Sequence, residues 1–180
     1  MFGRSTVTIA ETPAELEAQL AAFFGDHYDR LVRLAALVCH SPSMTEDAVQ
    51  AAMEQAWRRR GTLRDLSRMK PWLDQIVVRE AIRLNRRPWW SRLRAAGGSD
   101  KLDEIEVIDQ SAAPSTELAA LAIGLRALPP EQRAVVALHL YLGYSVEETA
   151  QIMNSPIATT RSRLRLARDR LRRALAENEA

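Results

Sequence analysis

The last third of the sequence carries an arginine-rich segment whose residue types and spacing fit contact with a polyanion. Residues 155–175 contain seven Arg and one Asp. A solvated surface helix usually mixes both signs of charge, whereas a helix that enters a negatively charged groove presents one sign. The alternative, that Arg stabilises the negative end of a helix, accounts for residues 170–173 but not for Arg161 and Arg165. The segment therefore predicts contact with nucleic acid.

Read as a helix with 100° per residue, this segment sorts into a core-facing stripe and a basic face. The basic face begins with Arg161, Ser162 and Arg165. Thr159 precedes them, and Arg168 and Arg172 continue the face beside the stripe. These six residues are the candidate DNA contacts. The stripe that we expect to be buried comprises Ile157, Thr160, Leu164, Ala167 and Leu171.

The residues before the basic helix predict how it is positioned. Ser145 and Glu148 match a capping box, in which each side chain satisfies a free backbone N–H of the other residue. After about two turns, Asn154 breaks that helix, and Ser155 with Pro156 provides a cap and a first residue for the basic helix. A short helix, a tight turn and a longer Arg-rich helix together indicate a helix-turn-helix.

A second basic stripe lies in the middle of the chain. Pro71 suits the first turn of a helix, and Leu73, Val77, Ala81 and Leu84 give that helix a buried face. Beyond the buried face, Trp89 and Trp90 could stack on an unpaired base or pack against the helix end, and both interpretations stay open. The candidate DNA contacts of this stripe are Arg79, Arg83, Arg86 and Arg87.

The helix before that one combines a buried face with a polar stripe. Thr45 is expected to cap it, with Glu46 and Asp47 in its first turn. The polar stripe consists of Asp47, Gln50 and Glu54, spaced three and four residues apart, and intradomain packing does not require it. Residues expected on the buried face are Val49, Ala52, Met53, Ala56 and Trp57.

The chain opens with a longer amphipathic pattern and is divided by a change of composition. Phe24, Tyr28, Leu31, Ala35 and Val38 predict one face of a first helix. Residues 95–117 contain small residues, Pro and unneutralised acids, which do not readily build a packed element. We therefore expect an all-α chain of two small helical domains, residues 1–94 and 115–180, joined by a flexible acidic linker over residues 95–114.

Composition bounds the remaining possibilities. A formal charge of +2 does not make the whole chain a polycation. One cysteine, Cys39, cannot form an internal disulfide, and neither a secretory signal nor an apolar run long enough for a membrane span is visible. His27, Cys39 and His40 lack the spacing of a metal site. We expect no cofactor, no catalytic residues, no membrane insertion and a cytoplasmic location.

Two groups of motifs resemble the extracytoplasmic-function sigma factors, which direct RNA polymerase to promoters. The C-terminal motifs are Leu128-Pro-Pro-Glu-Gln-Arg, Gly143-Tyr-Ser-Val-Glu-Glu-Thr-Ala and Thr159-Thr-Arg-Ser-Arg-Leu. The N-terminal motifs are Glu46-Asp-Ala-Val-Gln50 followed by Ala56-Trp57-Arg, and Trp72-Leu73 with Ile76 ahead of Arg86-Arg87. They span about residues 20–175 in the order that the family has.

The resemblance implies a role for each candidate residue. Asp47 and Gln50, with Glu54 on the same stripe, would bind the clamp helices of core RNA polymerase. The loop from Gly61 to Lys70 would receive a flipped base of the minus-ten element, and the second basic stripe would hold backbone near it. Arg161, Ser162 and Arg165 would read the minus-thirty-five element, and an anti-sigma protein would mask the opening helices. Arg79 stands where the family generally has Asn, a departure that affects the contacts to melted DNA. Leu166 replaces a common Arg of the terminal helix, which predicts an unusual promoter sequence.

Two other classes of protein compete with this interpretation. A stand-alone helix-turn-helix regulator would explain residues 115–175 but would leave the polar stripe and the second basic stripe without a task. A DNA-processing enzyme such as a recombinase would need a nucleophile or an acidic triad, which the sequence does not show.

Overall fold

The computed structural model describes residues 12–86 and 116–178, which form helices and helical turns with no strand among them. This confirms the predicted all-α fold. Arg87, Trp89, Trp90 and residues 95–114 lie outside the described residues. The N-terminal block, residues 12–86, contains α1 (Pro13–Val38), α2 (Pro42–Arg59), two 3-10 turns (Arg60–Thr62 and Leu66–Arg68) and α3 (Met69–Asn85). The C-terminal block, residues 116–178, contains α4 (Thr116–Arg126), α5 (Pro130–Val136), a π-helical turn (Ala137–Tyr141), α6 (Val146–Met153) and α7 (Ile157–Asn178).

Helix α1 buries the predicted apolar face except at one position. The side chain of Thr12 caps the helix by accepting from the backbone N–H of Glu15. Leu31 and Val38 are buried, but Tyr28 is exposed, so its predicted place in the core is wrong. Tyr28 lies about 70° from the centre of the buried stripe, at the edge where a long side chain reaches water.

Helix α2 begins four residues earlier than the sequence predicts. Ser41 is the cap, and its hydroxyl accepts from the N–H of Met44 at 3.3 Å. Pro42 takes the first helical position, where its missing N–H costs nothing. Thr45 is therefore not the cap; it is buried, and its hydroxyl donates to the Ser41 carbonyl.

The buried face of α2 packs on α1 and α3, and Trp57 does not belong to it. Ala52 and Ala56 are buried as predicted, whereas Trp57 is 42% exposed. Trp57 lies about 120° from the centre of the buried face, because it follows Ala56 directly in the helix. The guanidinium carbon of Arg60 lies 5.2 Å from the centre of its indole.

The C-terminal block is built around α7, along which α4 packs closely. A Cβ atom at Gly124 would lie 3.1 Å from the Ala174 side chain and 3.2 Å from that of Leu171, so glycine allows the close approach of the two helices. Gly143 has a φ of 76° and lies two residues after Tyr141, the last residue of the π-helical turn. The apolar cluster internal to this block contains Leu128, Val136, Ala167 and Leu171.

The two blocks pack against each other. The principal apolar cluster combines side chains from α1, α2 and α3 with Ala134, Ala137, Leu138 and Ile152 of the C-terminal block. Within the described residues, none of the helices is both long enough and apolar enough to cross a membrane.

Candidate polymerase and nucleic-acid interface

A helix-turn-helix with well-defined caps positions the terminal basic helix. The N–H of Ser145 donates to the carboxylate of Glu148 at 2.8 Å, and the N–H of Glu148 donates to the Ser145 hydroxyl at 3.1 Å. This confirms the capping box, and the hydrogen bond from the Ser145 backbone lowers the pKa of Glu148. Helix α6 ends at Asn154, whose φ of 47° is left-handed, a conformation that Asn tolerates well.

Helix α7 buries most of the predicted stripe. Thr160, Leu164, Ala167 and Leu171 are buried, but Ile157 is 42% exposed, so this part of the prediction is wrong. Ile157 is the first residue of the helix, where the stripe meets solvent. The hydroxyls of Thr160 and Ser155 lie 2.8 Å apart and tie the first turn to the preceding bend.

The opposite face of α7 carries the predicted DNA contacts. Arg161 donates to Glu147 of α6 at 3.0 Å, while Arg165 and Arg172 lie 3.7 and 3.6 Å from Asp169. Such exposed ion pairs contribute little free energy, so phosphate can replace these carboxylates at small cost. The fold brings the whole set to one helix. Thr159 is half-buried, and Arg161, Ser162, Arg165, Arg168 and Arg172 are exposed.

The polar stripe of α2 lies on the side away from the buried face. Asp47 and Gln50 are exposed, and Glu54 accepts from Arg58 at 3.1 Å in the next turn. Around the helix axis, Trp57 lies next to the stripe and adds an exposed aromatic ring to it. An exposed indole with carboxylates and an amide around it is suited to a protein partner, because interfaces are enriched in aromatic residues and have a polar rim.

The second basic stripe is divided between solvent and the other block. Arg79 and Arg83 are exposed on α3, with Arg83 donating to Glu80 at 2.6 Å. Arg86, which follows the last residue of α3, donates through Nε to Glu131 at 2.8 Å. Burial alone would raise the pKa of Glu131, but the hydrogen bonds from Arg86 outweigh it and lower that pKa.

The loop before α3 is more ordered than the sequence indicates. It contains the two 3-10 turns, and the carboxylate of Asp65 accepts from the N–H of Ser67 at 3.0 Å and from its hydroxyl at 2.6 Å. Gly61 and Lys70, at the ends of the loop, are both exposed.

A buried polar network between the two blocks was not predicted. The carboxylate of Asp74 is fully buried and accepts two bonds from Arg30 and one from the Tyr144 hydroxyl. Arg133 is also buried and donates to the Val38 carbonyl and the Asn85 amide oxygen. The available signal was a charged residue inside an apolar helix pattern, at Asp74 and Arg133.

Comparisons with known proteins agree with this geometry. The family model described as Sigma-70 region 2 matches residues 23–91, and that described as Sigma-70, region 4 matches residues 124–171. The chain is 34% identical to the ECF RNA polymerase sigma factor SigM of Mycobacterium tuberculosis over 152 residues, which cover 84% of this chain and 74% of that protein. It is 28% identical to the RNA polymerase sigma-E factor of Streptomyces coelicolor, covering 84% of this chain and 82% of that one.

Among solved structures, the sigma factor RpoE of Bartonella quintana, in complex with the anti-sigma factor NepR, is similar with a TM-score of 0.65 and 25% identity. The similarity covers 91% of this chain and 95% of that one. CnrH, in complex with the cytosolic domain of CnrY, shares the fold with a TM-score of 0.61. The match to region 2 disfavours a stand-alone helix-turn-helix regulator, and sigma factors are transcription initiation factors rather than enzymes. The chain belongs to the extracytoplasmic-function family of RNA polymerase sigma factors, which bind core polymerase and direct it to promoters.

Proposed function

We propose that the C-terminal block, within a domain of residues 115–180, reads the minus-thirty-five element through α7. The observation that carries this proposal is the exposed row of Arg161, Ser162 and Arg165 in the first half of a helix-turn-helix second helix. That half of a recognition helix reaches base edges in the major groove. Thr159, Arg168 and Arg172 contact phosphate on either side.

The N-terminal block, within a domain of residues 1–94, binds polymerase through the polar stripe of α2. Asp47, Gln50 and Glu54 form the stripe, and Trp57 contributes an aromatic anchor at its edge. Support comes from the packing of α2, because none of these four side chains is needed for the buried face. The proposed partner is the clamp-helix surface of the large polymerase subunit.

The same domain holds the melted minus-ten element. Arg79, Arg83 and Arg86 follow one another along the end of α3 and offer cations to a DNA backbone. Arg87, outside the described residues, extends this set. The loop from Gly61 to Lys70 precedes α3 and receives the flipped base.

An anti-sigma protein covers the N-terminal helices when the factor is inactive. Support comes from RpoE of Bartonella quintana, which was solved in complex with the anti-sigma factor NepR. The protein acts in the cytoplasm, where polymerase and promoter DNA meet, and residues 95–114 connect the two domains.

The experiment that tests this assignment is promoter-dependent transcription with purified core polymerase, combined with direct binding to the core. Asp47→Ala with Gln50→Ala should weaken core binding by about 30-fold, as expected for residues central to an interface. The matched control is Asp26→Ala with Asp29→Ala, which removes two exposed side chains from α1 of the same block. Equal core affinity of the two double variants would contradict the proposed polymerase surface.

A further inference from the structure

A large apolar side chain is exposed in the middle of helix α7. Leu166 is 39% exposed, whereas Leu164 and Leu171 of the same helix are 5% and 8% exposed. The difference follows from the helix period, because at 100° per residue Leu166 points about 130° away from the centre of the buried stripe. Packing in the core of the C-terminal block therefore does not explain an apolar residue at this position.

Leu166 faces the same way as the residues proposed to read base edges. The direction opposite to the buried stripe passes within about 10° of Ser162. Arg165 and Leu166 lie about 50° on either side of that direction, and Arg161 lies about 90° from it. All four side chains are exposed. A docking of α7 that brings Ser162 and Arg165 to base edges therefore brings Leu166 there as well.

The helix itself gives Leu166 no apolar neighbour. On a helix surface, the nearest side chains are those three and four residues away. For Leu166 these are polar or charged, namely Ser162, Arg163, Asp169 and Arg170. An apolar side chain gains free energy when an apolar group of a partner removes it from water. Contact with the partner of α7 therefore favours Leu166 only where that partner presents an apolar group.

The major groove of DNA restricts what that apolar group can be. Guanine, adenine and cytosine present hydrogen-bond donors and acceptors at their edges in this groove, and thymine alone adds a methyl group, on its C5 atom. Apolar side chains distinguish thymine by contact with this methyl group. The side chain of Leu166 neither donates nor accepts a hydrogen bond, so thymine is the base that it is suited to recognise.

We propose that Leu166 is a specificity-determining residue, which packs on the C5-methyl group of a thymine in the minus-thirty-five element. This inference rests on the proposed reading of that element by α7 and adds one base to it. The Cα atoms of Arg165 and Leu166 are about 3.8 Å apart, close to one base step of about 3.4 Å. The thymine therefore lies within about two base pairs of the base that Arg165 contacts.

Replacement of thymine by uracil in the DNA tests the contact, because the two bases differ only in the methyl group and form the same hydrogen bonds. A short duplex that the full chain prefers is selected from a pool of randomised sequence. Each thymine of the selected element is then replaced singly by deoxyuridine, and binding of the full chain is measured at one salt concentration. Leu166→Ala removes the apolar contact and Leu166→Met retains it. The matched control is Ile123→Ala, which truncates a 67% exposed apolar side chain on α4 of the same block.

One uracil substitution should weaken binding of the parent chain by about fourfold, the effect of leaving one methyl group in water. Leu166→Met and Ile123→Ala should keep this loss, whereas Leu166→Ala should bind the thymine and uracil duplexes equally. The sensitive thymine should lie within about two base pairs of the position at which Arg165→Ala relaxes the preference. Circular dichroism should show unchanged helicity for all variants, because each substitution is at an exposed helical position.

Three results would contradict the methyl contact: a selected element without thymine near the position that Arg165 reads, parent binding that no uracil substitution weakens, or an equal uracil effect in the parent chain and Leu166→Ala. In the last case the effect would arise from the DNA and not from the side chain. Failure of the proposed function has a different signature. The parent chain would then select no sequence over a scrambled duplex, and that result would overturn reading by α7 together with the methyl contact.

Discussion

The hydroxyl of Tyr144 lies 2.6 Å from the fully buried carboxylate of Asp74, 70 residues earlier in the chain. The same carboxylate accepts both ends of the Arg30 guanidinium. Burial opposes a charge on Arg30, but the hydrogen bonds and charge of Asp74 outweigh it and raise the pKa of Arg30. One carboxylate therefore both neutralises a cation inside the N-terminal block and docks the C-terminal block.

Asp74→Asn should destabilise the protein far more than Tyr144→Phe. The amide leaves Arg30 without its buried counter-ion, a loss of about 3 kcal/mol or more, whereas removing the Tyr144 hydroxyl costs about 1 kcal/mol. Urea denaturation followed by circular dichroism measures both. Asp29→Asn, at an exposed carboxylate, should change the free energy of unfolding by less than about 0.5 kcal/mol. Equal losses for Asp74→Asn and Asp29→Asn would contradict the pairing.

The helices and their buried faces could be predicted because periodicity and caps are local. Leu73, Val77, Ala81 and Leu84 are buried as the spacing of α3 indicates, and Ser145 with Glu148 forms the predicted box. Errors occurred where a residue lies at the edge or end of a stripe, at Tyr28, Trp57 and Ile157. The cap of α2 was also wrong, because Ser41 followed by Pro42 begins the helix before Thr45. Periodicity gives the direction of a side chain but not how far the neighbouring helices extend.

The interface between the blocks could not be predicted, because its partners are distant in sequence. Tyr144 follows Asp74 by 70 residues, and Arg133 follows Val38 by 95. A charged residue in an apolar pattern indicates that some partner exists but not which one. The candidate DNA contacts were accessible to sequence reasoning, since a basic helix face is local and its solvent exposure needs no partner.

The contribution of Tyr144 to the free energy of unfolding should depend on pH in the alkaline range. Burial, and then its hydrogen bond to Asp74, raises the pKa of Tyr144. A group whose pKa is higher in the folded than in the unfolded protein stabilises the fold in full at any pH below its unfolded pKa, which is about 10 for Tyr. This stabilisation is lost as the pH rises from the unfolded pKa towards the folded pKa. The difference in unfolding free energy between the parent chain and Tyr144→Phe should be constant from about pH 6 to 9 and then shrink by up to ~1.4 kcal/mol per pH unit. A difference that stays constant to pH 11 would exclude this linkage.

Cys39 should react slowly with thiol reagents. Burial raises the pKa of Cys39 to about 12, and its Sγ donates to the Met44 carbonyl. At pH 8 its thiolate population should be roughly a thousandfold below that of a free cysteine. The raised pKa stabilises the fold below about pH 8.5, and that contribution is lost as the pH rises towards 12. The measurement is the rate of thiol modification in buffer and in urea, and a native rate within tenfold of the unfolded rate would contradict the prediction.

Limited proteolysis should test two claims independently: that the connector is accessible to a protease, and that the two blocks stay docked. Brief digestion is expected to cut within residues 95–114, whose small, acidic and Pro residues suit a connector. Because Tyr144 bonds to Asp74 and Glu131 to Arg86 across the two blocks, the two fragments should elute together from a sizing column, and Tyr144→Phe with Glu131→Gln should weaken their association. Resistance of the connector to cleavage would count against two domains, and separate elution of the parent fragments would count against stable docking of the blocks.

Substitutions in the terminal helix should distinguish contacts that read bases from contacts that bind phosphate. Arg161 and Arg165 lie in the first half of α7, where a recognition helix meets base edges, and Arg172 lies near its end. A bidentate base contact discriminates by about 1 to 3 kcal/mol, whereas a phosphate contact adds affinity for every sequence alike. Arg165→Ala should therefore shrink the preference for a cognate minus-thirty-five duplex over a scrambled one.

Arg172→Ala should instead weaken binding to both duplexes together and lower the slope of the salt dependence by about one. The full chain serves for this measurement, because the basic face of α7 is exposed while the blocks are docked. Binding to a short duplex is followed over a salt series, with Arg33→Ala on α1 as a control that removes an exposed Arg from the other block. If Arg161→Ala and Arg165→Ala each keep the cognate-to-scrambled ratio of the parent chain, α7 does not read the minus-thirty-five element.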